Sequence, residues 1–273
     1  MRNSARARRL AATAAALVIT ATLAGCSQAA RTGVSNVTTA STGAPAQQNI
    51  AAMSTSEVEA AADSLGRLYI RDPKDKAIAL RYANILQMSG RTDQSLAVMR
   101  KLAIDHPKDR EVLAAYGKAL AAAGELEPAL DAIRRAQTPE YPDWKLLSAE
   151  GAILDQLGQP DAARALYRRA LDLQPDEPSV LSNLGMSYLL QGDLRTAEAY
   201  MGKAVATPGA DSRVRQNLAL VVGLQGRFRE AEAIARRELS PEQAEANMAY
   251  LRAMLAQTDS WSEIAREDAR NTN

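Results

Sequence analysis

Residues 180–205 read VLSNLGMSYLLQGDLRTAEAYMGKAV, which contains two helix-forming runs on either side of Gly192. Val180 to Leu190 and Leu194 to Val205 each place apolar residues at the three- and four-residue spacing of an amphipathic helix. A glycine just past a helix end adopts the left-handed backbone conformation without the usual steric cost. We therefore predict that Gly192 ends the first helix and turns the chain into the second.

The same pattern recurs along the chain with a period of 34 residues. The turn glycine stands at five positions at this spacing, which are Gly90, Gly124, Gly158, Gly192 and Gly226. A small residue precedes each of them by seven positions, as Ala83, Gly117, Gly151, Gly185 and Ala219. A single helix hairpin cannot bury its apolar stripe, whereas stacked hairpins bury it together. The sequence therefore predicts an all-α solenoid of antiparallel helix pairs that pack closely through their small residues.

The repeating unit resembles the tetratricopeptide repeat. Two consecutive units carry most of that family's signature, at Gly151, Gly158, Ala163, Tyr167, Ala170 and Pro175, and at Leu184, Gly185, Tyr188, Gly192, Ala197 and Ala204. The resemblance implies five repeats over residues 75–243. An extra helix is expected within residues 54–74, where it fits the second half of a preceding unit. A C-terminal capping helix over about Glu242 to Thr258 and a tail are expected to complete the chain, with residues 244–273 outside the repeats.

Residues 1–25 are typical of a secretory signal peptide. Four arginines precede an apolar run from Leu10 to Ala24, which is shorter than the roughly 20 residues that span a bilayer. Without these arginines the chain has 29 basic and 32 acidic side chains, a net charge of about −3, which gives no basic field for nucleic acid. Residues 27–52 are mostly Ser, Thr, Ala, Gly and Gln without apolar periodicity. We expect residues 26–53 to form a lipidated cysteine and a flexible linker.

The only cysteine, Cys26, ends the sequence Leu23-Ala24-Gly25-Cys26, and a single thiol excludes an internal disulfide. These four residues resemble the lipobox of bacterial lipoproteins. The resemblance implies cleavage before Cys26, diacylglyceryl on its thiol and further fatty acyl chains such as palmitate. By resemblance to known sorting rules, Ser27 favours the outer membrane, facing the periplasm, over the inner membrane. The residues around the Arg8-Arg9 pair do not support a twin-arginine signal.

The sequence offers no group of residues suited to catalysis. His106 is the only histidine, and it precedes Pro107 at a predicted helix end, where a polar or cationic cap is the simplest role. One histidine and one lipidated cysteine make neither a zinc site nor a Cys–His nucleophile pair. No phosphate-binding loop and no nucleophile elbow is present. We therefore expect no enzyme activity, no metal and no cofactor.

The tetratricopeptide resemblance also implies a protein-binding groove, lined by the first helix of each repeat. The repeat positions that line the groove in this family correspond here to Arg81, Asn84, Gln87, Lys118, Asp155, Gln156, Ser182, Asn183, Met186, Gln216 and Asn217. Amide and hydroxyl groups pair with a peptide backbone, and a methionine offers adaptable apolar contact. The alternative for each residue is that it serves a neighbouring helix instead. Gly223, on the same face, permits either close packing of the C-terminal helix or close approach of a partner.

Several stretches are similar to the TadD lipoproteins of the tight-adherence (Flp) pilus assembly system. They include Pro142 to Gly158, Asn183-Leu184-Gly185 and Arg213 to Leu220. The resemblance implies a non-enzymatic, pilotin-like adaptor at the outer membrane, whose partner is the pilus secretin or another component of the pilus secretion machine. The alternative function is a general periplasmic scaffold for cell-wall enzymes or for outer-membrane protein assembly.

Overall fold

A computed structural model of the chain describes residues 53–138, 140 and 142–271, with side chains described as far as residue 257. The signal peptide, Cys26 and most of the predicted linker lie outside the described residues. All regular elements within them are α-helices, as the sequence predicted. None of the helices in this part of the chain combines the length and the apolar character needed to cross a membrane.

The chain divides after Ala136 into two compact units, unit 1 and unit 2. Unit 1 contains α1 Thr55–Arg71, α2 Lys76–Met88, α3 Thr92–Asp105, α4 Arg110–Ala122 and α5 Leu126–Ala136. Unit 2 contains α6 Trp144–Gln156, α7 Pro160–Leu173, α8 Pro178–Leu190, α9 Leu194–Ala206, α10 Ser212–Leu224, α11 Phe228–Ala235 and α12 Pro241–Asn271. The helices from α2 to α11 form five hairpins, in which an even-numbered first helix precedes an odd-numbered second helix.

The five turn glycines adopt the conformation that the sequence predicted. Their φ angles lie between 74° and 81°, in the left-handed region that only glycine occupies easily. At Gly192 the amide of the next residue, Asp193, donates to the carbonyl of Tyr188 at 3.0 Å, which closes the last turn of α8. The prediction that each glycine ends a first helix is confirmed.

Acidic residues begin all five first helices, a pattern that the sequence analysis missed. The N-cap positions are 34 residues apart, at Asp75, Asp109, Asp143, Glu177 and Asp211. Each carboxylate accepts a hydrogen bond from a backbone N–H of the first turn, which would otherwise have no partner. The negative charge also complements the positive end of the helix dipole. These caps fix where every first helix starts.

The small-residue column lets the two helices of a hairpin approach closely. An ideal Cβ at Gly117 would lie 2.7 Å from Ile133 Cγ1, and one at Gly185 would lie 2.8 Å from Met201 Cγ. Ile133 and Met201 are fully buried and fill the space that the glycines leave. In these hairpins a large side chain on the second helix therefore packs over a small residue on the first.

The C-terminal helix differs from the prediction in its length. It was expected to end near Thr258, whereas α12 continues to Asn271. No glycine or proline follows Pro241, and residues 259–271 are rich in good helix formers, so nothing in the sequence stops the helix.

Candidate functional site

The first helices form one continuous side of each unit. In unit 1, α2 contacts α4, and in unit 2, α6 contacts α8 and α8 contacts α10. Second helices of neighbouring hairpins make no such contact within the described part of the chain. The first-helix side of each unit is therefore its inner face, as expected for stacked helix pairs.

The inner face of unit 1 carries four of the residues predicted to bind a partner. Arg81, Asn84 and Gln87 lie on α2, and Lys118 lies on α4. All four side chains are exposed to solvent. They are accessible to a partner, and they present amide and cationic groups rather than apolar ones.

The inner face of unit 2 contains a repeated hydrogen bond between a serine and an asparagine. Asn183 Nδ2 on α8 donates to Ser148 Oγ on α6 at 3.1 Å. Asn217 Nδ2 on α10 donates to Ser182 Oγ on α8 at 3.0 Å. The two bonds are one repeat apart, because both the serines and the asparagines are separated by 34 residues. We call these four residues the Ser–Asn ladder.

The ladder divides the predicted binding residues into internal and accessible groups. Ser182 is fully buried, so its hydroxyl is reached by Asn217 and not by a partner. Asn183 and Asn217 are half-buried, and each uses one of its amide N–H groups in the ladder. A primary amide has a second N–H and a carbonyl oxygen. This remaining capacity suits the backbone of a bound peptide.

Asp155 is engaged by hydrogen bonds within the chain. Tyr167 donates its hydroxyl to Asp155 Oδ2 at 3.0 Å, and Ser187 donates to Oδ1 at 2.8 Å. Arg164 donates through Nε to the Ser187 hydroxyl, at 3.2 Å, and through a terminal nitrogen to the Ser187 carbonyl, at 3.1 Å. This network joins α6, α7 and α8. Asp155 therefore connects three helices, which is the alternative considered for the predicted groove residues.

Burial dominates the protonation behaviour of this network. Loss of solvent raises the pKa of the Asp155 carboxyl, although both hydroxyl donors and the nearby Arg164 oppose that shift. Burial, together with the neighbouring carboxylate, also raises the pKa of the Tyr167 phenol. Tyr167 is fully buried and therefore acts as a neutral donor.

Apolar side chains lie beside the ladder on the inner face of unit 2. Met186, Leu220 and Leu224 are partly exposed and pack on a buried cluster that includes Leu189 and Met201. The sequence analysis included Met186 but missed Leu220, although Leu220 follows Met186 by one repeat of 34 residues. We call Met186, Leu220 and Leu224 the apolar row.

The remaining predicted residues of unit 2 are glutamines. Gln156 is exposed on α6 and its side chain donates to the carbonyl of Ala152 at 3.3 Å. Gln216 on α10 donates to Ser212 Oγ at 3.0 Å, within its own helix.

Ser148 was not among the predicted residues, and its position one repeat before Ser182 is the signal that identifies it. The structure thus brings Asn183, Gln216 and Asn217 together with the apolar row.

Gly223 lies against the C-terminal helix. A Cβ at this position would lie 2.5 Å from Leu251 Cδ2, and Gly223 is buried. Close packing of α12 on α10 therefore explains the glycine, and its surface is not open to a partner.

Groups that could support chemistry are sparse in the described residues. His106 is the C-cap residue of α3, at the helix end where the sequence placed it. Within the described residues no group of three His, Cys, Asp or Glu side chains is arranged to hold a metal ion.

Stacked helix hairpins with an accessible inner face define the class of helical-repeat proteins that bind other proteins. Three models of the tetratricopeptide repeat match this sequence, over residues 52–119, 149–211 and 213–237. Together the matches cover more than half of the chain. The chain belongs to the tetratricopeptide-repeat proteins, and it is a scaffold for protein–protein interaction. No curated protein matches the sequence.

Solved structures show the same fold. PilW, described as a widely conserved type IV pilus biogenesis factor, is 23% identical with a TM-score of 0.55, over 73% of this chain and 91% of PilW. TTC0263, a thermophilic tetratricopeptide-repeat protein of Thermus thermophilus, is 24% identical with a TM-score of 0.55, over 63% of this chain and 96% of that one. The Cut9–Hcn1 hetero-tetramer of the APC/C is 16% identical with a TM-score of 0.58, over 74% of this chain but only 40% of the other. At these identities the likeness concerns the fold alone.

Proposed function

We propose that this protein is a lipid-anchored adaptor that holds a protein component of the tight-adherence (Flp) pilus assembly machine on the inner face of unit 2. The arrangement of side chains on that face is the observation that supports binding there. The Ser–Asn ladder holds two amide side chains in a fixed register along α8 and α10, and the apolar row runs beside them.

This arrangement favours a peptide segment as the bound part of the partner. Amide groups that are held by internal hydrogen bonds lose little entropy when they pair with a second backbone. The apolar row can contact alternate or helically spaced side chains of the same segment, and Met186 adapts to their shape. The inner face of unit 1, with Arg81 and Lys118, offers cationic groups to an acidic segment.

Membrane attachment rests on the sequence that precedes the described residues. Leu23-Ala24-Gly25-Cys26 follows a short apolar run and a basic start, as in bacterial lipoproteins. Each buried CH₂ contributes about 0.8 kcal/mol, so two or three acyl chains on Cys26 would anchor the protein stably. Residues 27–52, as a coil, would reach roughly 30 Å from the anchor. We place the protein at the outer membrane, facing the periplasm.

The pilus assignment rests on sequence resemblance to the TadD lipoproteins. One of the structural neighbours, PilW, is described as a pilus biogenesis factor, which agrees with the proposal but adds only the fold. The pilus secretin is the partner that the resemblance favours.

Co-purification tests this function. The full-length protein, extracted from membranes of its host with detergent, is compared with a Cys26→Ser form and with an Asn183→Arg form, and the bound proteins are identified. We expect a secretin or another pilus component with the natural chain and less of it with Asn183→Arg, which places a bulky cation on the inner face. Leu173→Arg is the control for a cation placed elsewhere on unit 2, because Leu173 is exposed and lies on the second helix α7.

Three outcomes decide the proposal. Cell-wall hydrolases or outer-membrane assembly proteins in place of pilus components would overturn the pilus assignment and favour the general periplasmic scaffold. Equal loss of the partner with Asn183→Arg and Leu173→Arg would overturn the inner face as the binding site. Recovery of the Cys26→Ser form from the membrane fraction in the same amount as the natural chain would overturn the lipid anchor.

A further inference from the structure

Within the described residues, which begin at 53, helix α1 is a second helix with no first helix before it. The residue one repeat before Gly90 is Ser56, and it lies inside α1. All five complete hairpins have a glycine turn at this position, whereas α1 continues through it, with Ser54 as its N-cap. The chain therefore does not turn here to place a first helix antiparallel to α1.

Helix α1 exposes a side chain that is buried in the complete hairpins. Leu68 corresponds by repeat position to Leu102, Ala136, Ala170 and Ala204 in the next four second helices, which are at most 1% exposed. Leu68 itself is 41% exposed. The other side of α1 is occupied, because Val58 and Ala62 pack against Ile85 of α2, and Met53 joins the same cluster. Leu68 lies outside this cluster.

The uncovered face has the spacing of a helix-pairing seam. Glu57, Ala61, Ser64, Leu68 and Arg71 follow one another at intervals of four, three, four and three residues. This is the 3.5-residue repeat with which two helices pack along their length. Ala61 is partly buried, at the edge of the cluster with Ile85, and the other four residues are exposed. We call these five residues the α1 seam.

The α1 seam is complementary in charge and size to a reversed copy of itself. Its first residue is acidic and its last residue is basic, with the small residues Ala61 and Ser64 before the large Leu68. When two such helices run antiparallel about a twofold axis at Ser64, Glu57 meets Arg71 of the other copy. Ala61 then meets Leu68, which repeats the small-on-large packing of the hairpins. A C2 interface uses one surface twice, so each favourable pair occurs twice.

We propose that this protein forms a homodimer in which α1 of one copy occupies the position of a first helix beside α1 of the other. The sequence of residues 27–52 is polar and lacks apolar periodicity, so it contains no apolar stripe that matches the seam. A single helix pair is smaller than a standard interface, so the dimer dissociates on dilution. This proposal does not depend on what the inner faces bind.

Complementary charge reversal tests the pairing. The full chain carrying Cys26→Ser is studied by analytical ultracentrifugation over a range of concentrations. Glu57→Lys and Arg71→Glu should each raise the dimer dissociation constant at least tenfold, because each places like charges together twice. Glu57→Lys also removes the capping box that Glu57 forms with Ser54, so the mixture of the two variants is the decisive measurement. An equimolar mixture of the two variants should form dimers again, because each altered side chain then meets an opposite charge. A natural chain that stays monomeric at high micromolar concentration, or a mixture that stays monomeric, would overturn the proposal.

Two matched pairs of variants locate the interface. Leu68→Gln should weaken the dimer, whereas Ile70→Gln should not, although Ile70 is 78% exposed and lies two residues away. Ile104, one repeat later, is 73% exposed although its hairpin is complete, so this position is exposed whether or not a first helix is present. In the Cys26→Ser chain, Ser64→Cys should give a disulfide-linked dimer and Glu59→Cys should not. Equal effects within either pair would contradict an interface at the α1 seam and would favour a non-specific association or a different partner helix.

Discussion

At Gly151 the space for a side chain is taken by Tyr167. A Cβ there would lie 2.7 Å from Tyr167 Cε1 and 3.1 Å from the carbonyl oxygen of Ala163. Tyr167 cannot retreat without breaking its hydrogen bond to Asp155. We therefore expect Gly151→Ala to lower the free energy of unfolding by about 1–3 kcal/mol, the usual cost of overpacking a core. Urea denaturation, monitored by circular dichroism, measures this change in the free energy of unfolding.

Gly202 is the control for this substitution, because it also lies within a helix but has no atom near its ideal Cβ. Gly202→Ala should raise the free energy of unfolding by roughly 0.5–1 kcal/mol, through helix propensity alone. Similar effects of the two substitutions would contradict the close approach of α6 and α7 at Gly151.

Asp155 should give the protein a component of stability that decreases as the pH rises. Burial raises its pKa above the ordinary value of 3.8, so the folded chain holds this proton more tightly than the unfolded chain does. The contribution is therefore fully present below the unfolded pKa and is lost as the pH passes through the folded pKa. Asp155→Asn cannot titrate. Between pH 4 and pH 7 the unfolding free energy of the natural chain, relative to Asp155→Asn, should fall.

The comparison with Asp155→Asn isolates this carboxyl from the others. Hydrogen bonds to Arg227 and Gln225 lower the pKa of Glu198, so Glu198 contributes unfolding free energy that rises with pH. This contribution is present in both proteins and cancels in the difference between them. A difference in unfolding free energy that stays flat, or rises with pH, would show that the network holds Asp155 in its charged form.

At the scale of the helix, the acidic N-caps decide where each hairpin begins. Asp211 accepts a hydrogen bond from the backbone N–H of Val214 at 2.9 Å, at the start of α10. Removal of such a cap by alanine typically costs about 1 kcal/mol. We expect Asp211→Ala to lower the unfolding free energy by that amount, as measured by chemical denaturation.

The start of α7 provides the comparison for this cap. Its N-cap residue, Gln159, makes no side-chain capping hydrogen bond. Gln159→Ala should therefore leave the unfolding free energy within about 0.5 kcal/mol of the natural value. If Gln159→Ala is as costly as Asp211→Ala, capping does not account for the acidic column.

The whole molecule shows which features a repeat makes visible in the sequence. The turn glycines and the small-residue column were predictable, because five copies at one spacing multiply a local signal that a single copy would leave weak. The burial of Ser182 was not predictable, because it depends on the position of Asn217 on the next hairpin. The exposure of Leu68 was equally hidden, since its own residue type matches the buried Leu102. The contacts that each repeat makes with its neighbours are therefore what the sequence analysis could not give.

Stacked hairpins that contact only their neighbours should also lose structure locally. Gly223→Leu would place a large side chain where Leu251 Cδ2 already lies 2.5 Å from an ideal Cβ. We expect it to displace α12 and to reduce hydrogen-exchange protection in α11 and α12. Protection in unit 1 should stay unchanged, because stability in a repeat array is a sum of nearest-neighbour terms. Hydrogen–deuterium exchange with mass spectrometry resolves the two regions.

Gly117→Leu is the converse experiment in unit 1, because an ideal Cβ there would lie 2.7 Å from Ile133 Cγ1 of the adjacent helix. It should reduce protection in α4 and α5 and leave α11 and α12 unchanged. Both substitutions place a leucine where a side chain of a packed helix lies within 2.7 Å of an ideal Cβ, and they lie in different units. Loss of protection throughout both units with either variant would mean that the protein unfolds as one cooperative body, and nearest-neighbour contacts alone would then not explain its stability.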